Sequence, residues 1–179
     1  TGKTLEIRTS LTLCWIYGYK SFEVNQEMQK QKNSRGCFLC GLENDVSLKM
    51  RWYEDHQVQE VRSTVTVSDH FNGYPGVVHG GIVSAILDET SGRAVMLKSG
   101  KDALMVALKL EVTFRRPTPT NTPLTAVGWV IKQSSSRAQV AGEIRLPDGT
   151  ITAECKAIVV RPPQDILDKW EAEKPYWKE

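Results

Sequence analysis

Apolar and polar residues alternate in several segments of the chain, and each of these segments predicts a β-strand. The clearest alternation runs over residues 103–115, where one side carries Leu108, Leu110, Val112 and Phe114. A side-chain period of two is typical of a strand with one buried face. The same reasoning predicts further strands over residues 48–53, 58–67, 124–132, 138–146 and 151–160. A hairpin turn at residues 147–149 indicates that the last four strands are antiparallel.

One segment, residues 80–98, is instead apolar over most of its girth, which predicts a helix buried inside the fold. Pro75 and Gly76 end the segment before it, and Gly80 and Gly81 open the helix. The order is thus two strands, one helix and four strands. This order predicts an α+β fold in which an antiparallel β-sheet wraps around one long central helix.

This helix combines two features that indicate acyl chemistry. Amide N–H groups in its first turn, at Gly80 and Gly81, have no intrahelical partner and can polarise a carbonyl or hold an anion. Asp88 and Glu89 place carboxylates in its apolar body, where a charge requires a partner or a chemical task. Because residues rise by about 1.5 Å each, Gly80 and Asp88 lie roughly 12 Å apart along the axis. A shared site therefore requires Asp88 from a second chain, packed antiparallel across a two-fold axis.

Length and charge narrow the functional classes. The 179 residues fit one domain, and 23 basic against 21 acidic residues give a net charge of +2, too balanced for a nucleic-acid partner. No apolar run reaches the roughly 20 residues of a membrane span, so we expect a soluble, cytoplasmic protein.

We predict an N-terminal extension over 1–35, the sheet-and-helix domain over 36–162, and a tail with a short helix over 163–179. Residues 1–27 are expected to be non-native or translated from an upstream start.

The four cysteines do not predict a disulfide scaffold, because they are few and scattered: Cys14, Cys37, Cys40 and Cys155. Cys37 and Cys40 have the spacing of a zinc or redox site. No second Cys or His pair completes four zinc ligands, and no βαβ pattern surrounds the pair. The favoured interpretation is that Cys37 packs a turn before the first strand, and no metal site is predicted.

Three motifs resemble the PaaI-like family of hotdog-fold acyl-CoA thioesterases. They are Cys-Phe-Leu-Cys-Gly at 37–41, Tyr-Pro-Gly-Val-Val-His-Gly-Gly at 74–81 with Asp88, and Val-Thr-Phe-Arg-Arg-Pro at 112–117. The resemblance covers about residues 37–161. It implies the hotdog fold, a homodimer or homotetramer, and hydrolysis of an acyl-CoA thioester to a carboxylic acid and free CoA. It implies no cofactor, since CoA is part of the substrate.

The resemblance also implies roles for individual residues. The backbone N–H of Gly80 polarises the thioester carbonyl, and Asp88 of the partner subunit attacks it or activates a water. Gly81 is expected to bind substrate, as is Asn72, which lies one residue from the position where some relatives supply a second carbonyl donor. His79 is expected to cap the helix, or to order its loop and bind the acyl carbonyl side, in preference to its alternative role of transferring a proton. Glu89 faces about 100° away from Asp88 around the helix, so we expect it to pair with a base, such as Arg93 at i+4.

Some expectations stay open at the level of sequence. Arg116, with Arg115 before it, and Arg137 in the loop 133–137 suit CoA phosphates, but they also suit an ordinary solvated strand end. Ala107 stands where many relatives carry a Ser or Thr that orients the water. We expect a hydroxyl or amide to partner Asp88. A non-catalytic acyl-CoA-binding module, and a hotdog hydratase or dehydratase, remain alternatives to the thioesterase.

Overall fold

An antiparallel sheet of seven strands forms the body of the computed structural model, which describes residues 28–99 and 104–179. The strands before the first helix are β1 (Gln29–Lys30), β2 (Tyr53–Asp55), β3 (Glu60–Thr66), β4 (Asn72–Tyr74) and β5 (Val77–Val78). Those after it are β6 (Val106–Phe114), β7 (Pro123–Gln133), β8 (Arg137–Arg145) and β9 (Ile151–Val160). The sheet order is β1-β2-β3-β7-β8-β9-β6, and β4 and β5 form a separate hairpin. The predicted antiparallel pairing of the last four strands is confirmed.

Helix α1 (Gly80–Arg93) packs against β3 and the four strands β6 to β9. It approaches the sheet closely at two glycines, Gly128 of β7 and Gly142 of β8, which are paired across the strands. A Cβ atom on Gly128 would lie 2.4 Å from the carbonyl oxygen of Thr90 in α1. Because these two glycines have no side chains, α1 lies close against the sheet at Thr90, just after its acidic residues Asp88 and Glu89. This arrangement confirms the α+β class and the hotdog fold.

Two predicted elements differ from the structure. Residues 48–53 were predicted to form a strand, but β2 begins only at Tyr53. Lys49 has a left-handed φ of 54°, and its ammonium group donates hydrogen bonds to the carbonyls of Gly41, Leu42 and Asn44, which holds this segment as a loop. The helix predicted over 80–98 ends at Arg93, because the chain makes a tight turn at Ala94, whose N–H bonds to Ser91 at 3.2 Å, before the short α2 (Met96–Ser99).

Strand β6 is a nine-residue edge of the sheet, and in the described part of the chain it pairs only with β9. The alternation predicted a uniformly buried apolar side, but a bulge between Ala107 and Lys109 breaks it. Leu108 is 63% exposed and Phe114 is 54% exposed. A long edge strand with exposed apolar side chains is a site at which another chain can add.

Two flanking segments lie side by side at the other edge of the sheet, which is formed by β1. Residues 29–35, assigned to the extension by sequence, include β1 in the sheet, and Asn33 forms an isolated bridge with Lys178 near the C-terminus. Arg35 pairs with Glu173 of α3 (Gln164–Glu173) at 3.0 Å and stacks on the ring of Tyr176 in a 3-10 turn (Lys174–Tyr176).

The expectations for residues 1–27, including Cys14, lie outside the described residues. Within residues 28–99 and 104–179, no helix has the length and apolar character needed to cross a membrane.

Candidate active site

The start of α1 is built by the hairpin of β4 and β5 and by His79. Gly76 has a φ of 75°, which L side chains rarely adopt, and it lets the hairpin turn tightly before the helix. His79 is the N-cap, and its Nδ1 accepts a hydrogen bond from the N–H of Gly81 at 2.9 Å. The expected capping position of His79 is therefore what the structure shows. Because the Gly81 N–H is committed to His79, it is not a free donor for a substrate.

Gly80 provides the remaining donor at this helix end. As the first helical residue it has an N–H with no intrahelical partner, and it is exposed. The positive end of the helix dipole adds to the polarising power of this N–H. The side chain of Phe114, at the end of β6, lies next to it, 3.4 Å from where a Cβ on Gly80 would sit. Asn72, also exposed, is paired with Val78 across the hairpin.

Asp88 is a half-buried carboxyl group two turns further along α1. Burial, and then the charge of the neighbouring Glu89, raises the pKa of Asp88 above its ordinary value of 3.8. The expected hydroxyl or amide partner is not found: in the described chain, no group donates a hydrogen bond to this carboxylate. The Ser91 hydroxyl bonds instead to the backbone carbonyl of Asp88, at 3.3 Å. The carboxylate is therefore left available for a group from outside the subunit.

Glu89 is held away from Asp88 by an ion pair. Arg93 Nε donates to Glu89 Oε1 at 2.7 Å, which confirms the predicted i,i+4 pair. The Arg93 guanidinium is buried, 4.1 Å from the ring centroid of Trp52. Trp52 in turn donates to the Thr90 hydroxyl at 3.0 Å. These contacts fix the rotation of α1, so that Asp88 is the acid without an intramolecular partner.

A cavity of about 370 Å³ opens beside Asp88. Its polar wall includes Asp88, Glu89 and Arg93. Most of the rest is apolar and comes from the segment after α1 and from β6, including Met96, Leu104, Met105, Val106 and Ala107. Trp170 and Trp177 of the tail close one side. The sequence does not predict this contact, since nothing in the pattern of residues 163–179 indicates which surface the tail covers.

The two arginines proposed for phosphate binding lie far apart within one chain. The N–H groups of Arg115 and Arg116 bond to Thr152 at the start of β9, whereas Arg137 pairs with Val160 at its end. Eight residues of extended strand separate these points by roughly 26 Å. The Arg115 side chain is bonded to Glu154, whereas Arg116 and Arg137 are exposed. Gly80 lies near the Phe114 end of β6, which is the end next to Arg116. The cavity with Asp88 lies at the Val106 end, which is level with Arg137 because Val106 and Arg137 both pair with Val160.

We predict that Asp88→Asn unfolds at a higher temperature than the wild type at pH 7. A raised pKa in the folded state means that folding favours the protonated acid, so this stability is present at low pH and is lost as the pH rises through the folded-state pKa. The advantage of the variant should shrink as the pH falls towards 3.8. Thermal denaturation between pH 3.5 and 7 measures it.

Asp148 provides the opposite case as a control. Its pKa is lowered because its carboxylate accepts the N–H of Thr150, at 2.8 Å. Asp148→Asn should therefore lose stability at pH 7, and the loss should fade as the pH falls. Equal effects of both variants at all pH values would contradict the assigned environments.

Known proteins resemble this chain in sequence and in fold. The model of the thioesterase superfamily matches residues 75–153, which hold the helix start and Asp88. A crystal structure of a thioesterase superfamily protein is 30% identical, with a TM-score of 0.64, over 71% of this chain and 61% of that one. This chain thus spans about three fifths of that relative's length. No curated protein matches.

Two further solved structures share the fold at lower identity. The PaaI protein from the phenylacetic acid degradation operon of E. coli is 19% identical, with a TM-score of 0.57, over 65% of this chain and 81% of that one. A hypothetical thioesterase protein from Streptococcus pneumoniae, crystallised with coenzyme A, is 20% identical, with a TM-score of 0.52, over 56% of this chain and 79% of that one. The resemblance to the hotdog-fold, PaaI-like thioesterases is confirmed by these matches.

Proposed function

We propose that this chain, which has the hotdog fold of the thioesterase superfamily, is an acyl-CoA thioesterase whose sites form between two subunits. One observation carries the proposal: α1 presents a free amide donor at Gly80 and an unpartnered, half-buried carboxylate at Asp88. These are the two groups that thioester hydrolysis requires, an oxyanion donor and a base or nucleophile. They lie roughly 12 Å apart along one helix, so a second copy must supply one of them.

The edge strand β6 provides the surface for that second copy. Antiparallel pairing of β6 with β6 of another chain, centred on Leu110, places the Phe114 end of one strand against the Val106 end of the other. Phe114 contacts Gly80, and Val106 lines the cavity of Asp88. The same two-fold axis therefore brings Gly80 of one subunit towards Asp88 of the partner subunit. The exposed Leu108 and Phe114 become buried in this homodimer, which further pairing could extend to a homotetramer.

The same arrangement gives the two arginines a shared role. Arg116 lies at the Gly80 end of its subunit and Arg137 at the Asp88 end, so the two-fold axis places Arg116 of one subunit and Arg137 of the partner subunit at the same end of the joined sheet. Guanidinium groups bind phosphate oxygens in pairs. We assign them to the phosphates of CoA, a molecule with which the streptococcal relative was crystallised.

The acyl group is assigned to the cavity beside Asp88. Its volume of about 370 Å³ lies within the range of small-molecule pockets, and its walls are mostly apolar. With the acyl chain there, the carbonyl carbon faces Asp88 of the same subunit, and the carbonyl oxygen faces the N–H of Gly80 of the partner subunit. Asp88 either removes a proton from water, which attacks the carbon, or attacks it directly to form an anhydride that water then hydrolyses. In both routes the CoA thiolate leaves and a carboxylic acid is formed.

Ala107 favours one alternative, a non-catalytic acyl-CoA-binding module. Ala107 lines the cavity and offers no hydroxyl to orient a water.

The three cysteines in the described residues are free thiols, which supports a cytoplasmic location for either function.

The proposal is tested by thiol release from short, medium, long and aryl acyl-CoAs. We expect multiple turnovers with at least one of these substrates. Binding of acyl-CoA by calorimetry, without release of thiol from any of them, would instead support the binding module.

A further inference from the structure

The Cys37-Phe-Leu-Cys40 turn forms part of the cavity wall, beside Glu89 and Arg93. The N–H of Gly41 bonds to the carbonyl of Cys37 at 2.7 Å and closes the turn. Only glycine fits there, because a Cβ at Gly41 would lie 2.4 Å from that carbonyl oxygen. The turn brings the two sulfur atoms within 4.8 Å of each other. The spacing of the cysteines and the glycine after them thus hold two thiols close together. Packing of a loop alone does not require two thiols at this distance.

Cys40 has the surroundings of a thiolate. Arg93 Nη2 lies 3.3 Å from its sulfur, and the Ser34 hydroxyl lies 3.9 Å from it. A hydrogen bond from the Cys37 thiol, opposed by burial and helped by the Arg93 charge, lowers the pKa of Cys40 to about 6. The same hydrogen bond and burial raise the pKa of Cys37, and the Glu89 charge raises both. At neutral pH the pair is therefore one thiolate and one thiol.

A metal ion suits this cluster less well. The donor atoms of Cys37, Cys40 and Glu89 lie within 4.8 Å of one another, which is one ligand fewer than a structural zinc site takes. Arg93 already places a positive charge there, bonded to both Glu89 and the Cys40 sulfur. A divalent cation would have to displace this buried guanidinium, whose Nη1 also donates a hydrogen bond to the carbonyl of Lys32.

We propose that Cys37 and Cys40 form a redox-active dithiol that hydrogen peroxide oxidises to an intramolecular disulfide. The Cys40 thiolate attacks one peroxide oxygen, the O–O bond breaks, and hydroxide leaves, so that Cys40 becomes a sulfenic acid. The Cys37 thiol then attacks the Cys40 sulfur, the S–O bond breaks, and water leaves. Overall, two thiols and one peroxide give one disulfide and two waters. A reducing thiol such as glutathione attacks the sulfur of Cys37, which is half-buried, and releases the Cys40 thiolate; a second molecule then reduces the mixed disulfide and restores the pair.

Access and geometry support this sequence of steps. Cys40 is only 1% exposed, so peroxide reaches it through the cavity while a bulky disulfide cannot. The two sulfur atoms lie within 4.8 Å of each other, and a disulfide joins them at about 2.0 Å. The turn therefore has to bring them closer by less than about 3 Å. Oxidation removes the negative charge beside Arg93, in the cavity wall that also holds Asp88.

The test uses the full chain and does not depend on its catalytic activity. After reduction and removal of the reductant, we expect peroxide to lower the mass by that of two hydrogen atoms, and peptide mapping to find a Cys37–Cys40 disulfide. The alkylation rate of Cys40 in the reduced protein should rise with an inflection near pH 6. Cys155, which is buried and has a raised pKa, serves as the internal control and should stay reduced.

A Cys37→Ala variant, which removes both the second thiol and its hydrogen bond to Cys40, separates the two steps. It should form no disulfide and should accumulate a Cys40 sulfenic acid that dimedone traps, and the Cys40 inflection should move to higher pH. Two results overturn the proposal. One is Cys40 alkylation in wild type that inflects near the ordinary thiol value of about 8.5, without a disulfide after peroxide. The other is one zinc per chain in the purified protein that protects both thiols from alkylation.

Discussion

Asp88→Asn is expected to lower kcat for acyl-CoA hydrolysis by about 10²–10⁴-fold and to leave KM within a few-fold of wild type. The amide keeps the size of the side chain but can neither attack the carbonyl nor accept a proton from water. Acyl-CoA binding depends mainly on the apolar walls of the cavity and on the arginines, which the substitution leaves unchanged. Steady-state kinetics with the best substrate of the acyl-CoA panel measures both constants.

Glu89→Gln is the matched control, since it neutralises the adjacent acid on the same helix. It breaks the ion pair with Arg93 and should therefore lower the melting temperature. Its kcat should stay within about tenfold of wild type, because a lost positioning contact costs less than a lost base. If Glu89→Gln were the inactive variant and Asp88→Asn retained full turnover, Glu89 would be the reacting acid.

Gly80→Pro is expected to reduce kcat by about 10²–10³-fold, because it deletes the amide hydrogen assigned to the thioester carbonyl. Proline is favoured at the first position of a helix, where the N–H is not used by the helix itself. His79 has φ −57° and ψ 135°, a conformation that a following proline accepts. Kinetics together with a circular dichroism melt distinguish loss of the donor from loss of the fold. Gly80→Ala, which keeps the N–H, is the control.

Mixing the two inactive variants tests whether the site is shared between subunits. In a random mixture half of the dimers pair a Gly80→Pro chain with an Asp88→Asn chain. Each such dimer has one site with both defects and one site with none, so about a quarter of wild-type activity should return. If mass spectrometry detects the mixed dimers but no activity returns, Gly80 and Asp88 act within one chain or not together at all.

Local sequence patterns were sufficient to predict the strands after α1, the helix start and the Glu89–Arg93 pair. Each of these depends on residues a few positions apart. The loop over residues 41–52 could not be predicted, because its shape depends on the left-handed Lys49 and on the three carbonyls that its ammonium group binds. The early end of α1 likewise reflects a turn within an apolar run that shows no polar break.

Long-range placement was the larger limit for the site. Nothing in the sequence places Arg116 and Arg137 at opposite ends of β9, because that separation follows from the register of three strands. The contact of Arg93 with Cys40 joins residues 53 positions apart, so the spacing of the two cysteines alone was interpreted as packing. The covering of the cavity by Trp170 depends in the same way on where the tail folds back.

The position of the tail separates the shape of the acyl pocket from the stability of the domain, two properties that are coupled in many enzymes. Asp88 lies on a helix seated on paired glycines inside the sheet, where most substitutions affect folding. Trp170 belongs to a helix that buries none of its residues, Trp177 follows that helix, and neither side chain is part of the hydrophobic core, so changes there leave the core unaltered. Mutation can therefore reshape the space offered to the acyl group while the reacting groups and the stability of the domain stay as they are. Diversification of substrate preference is open to this protein without the usual loss of stability.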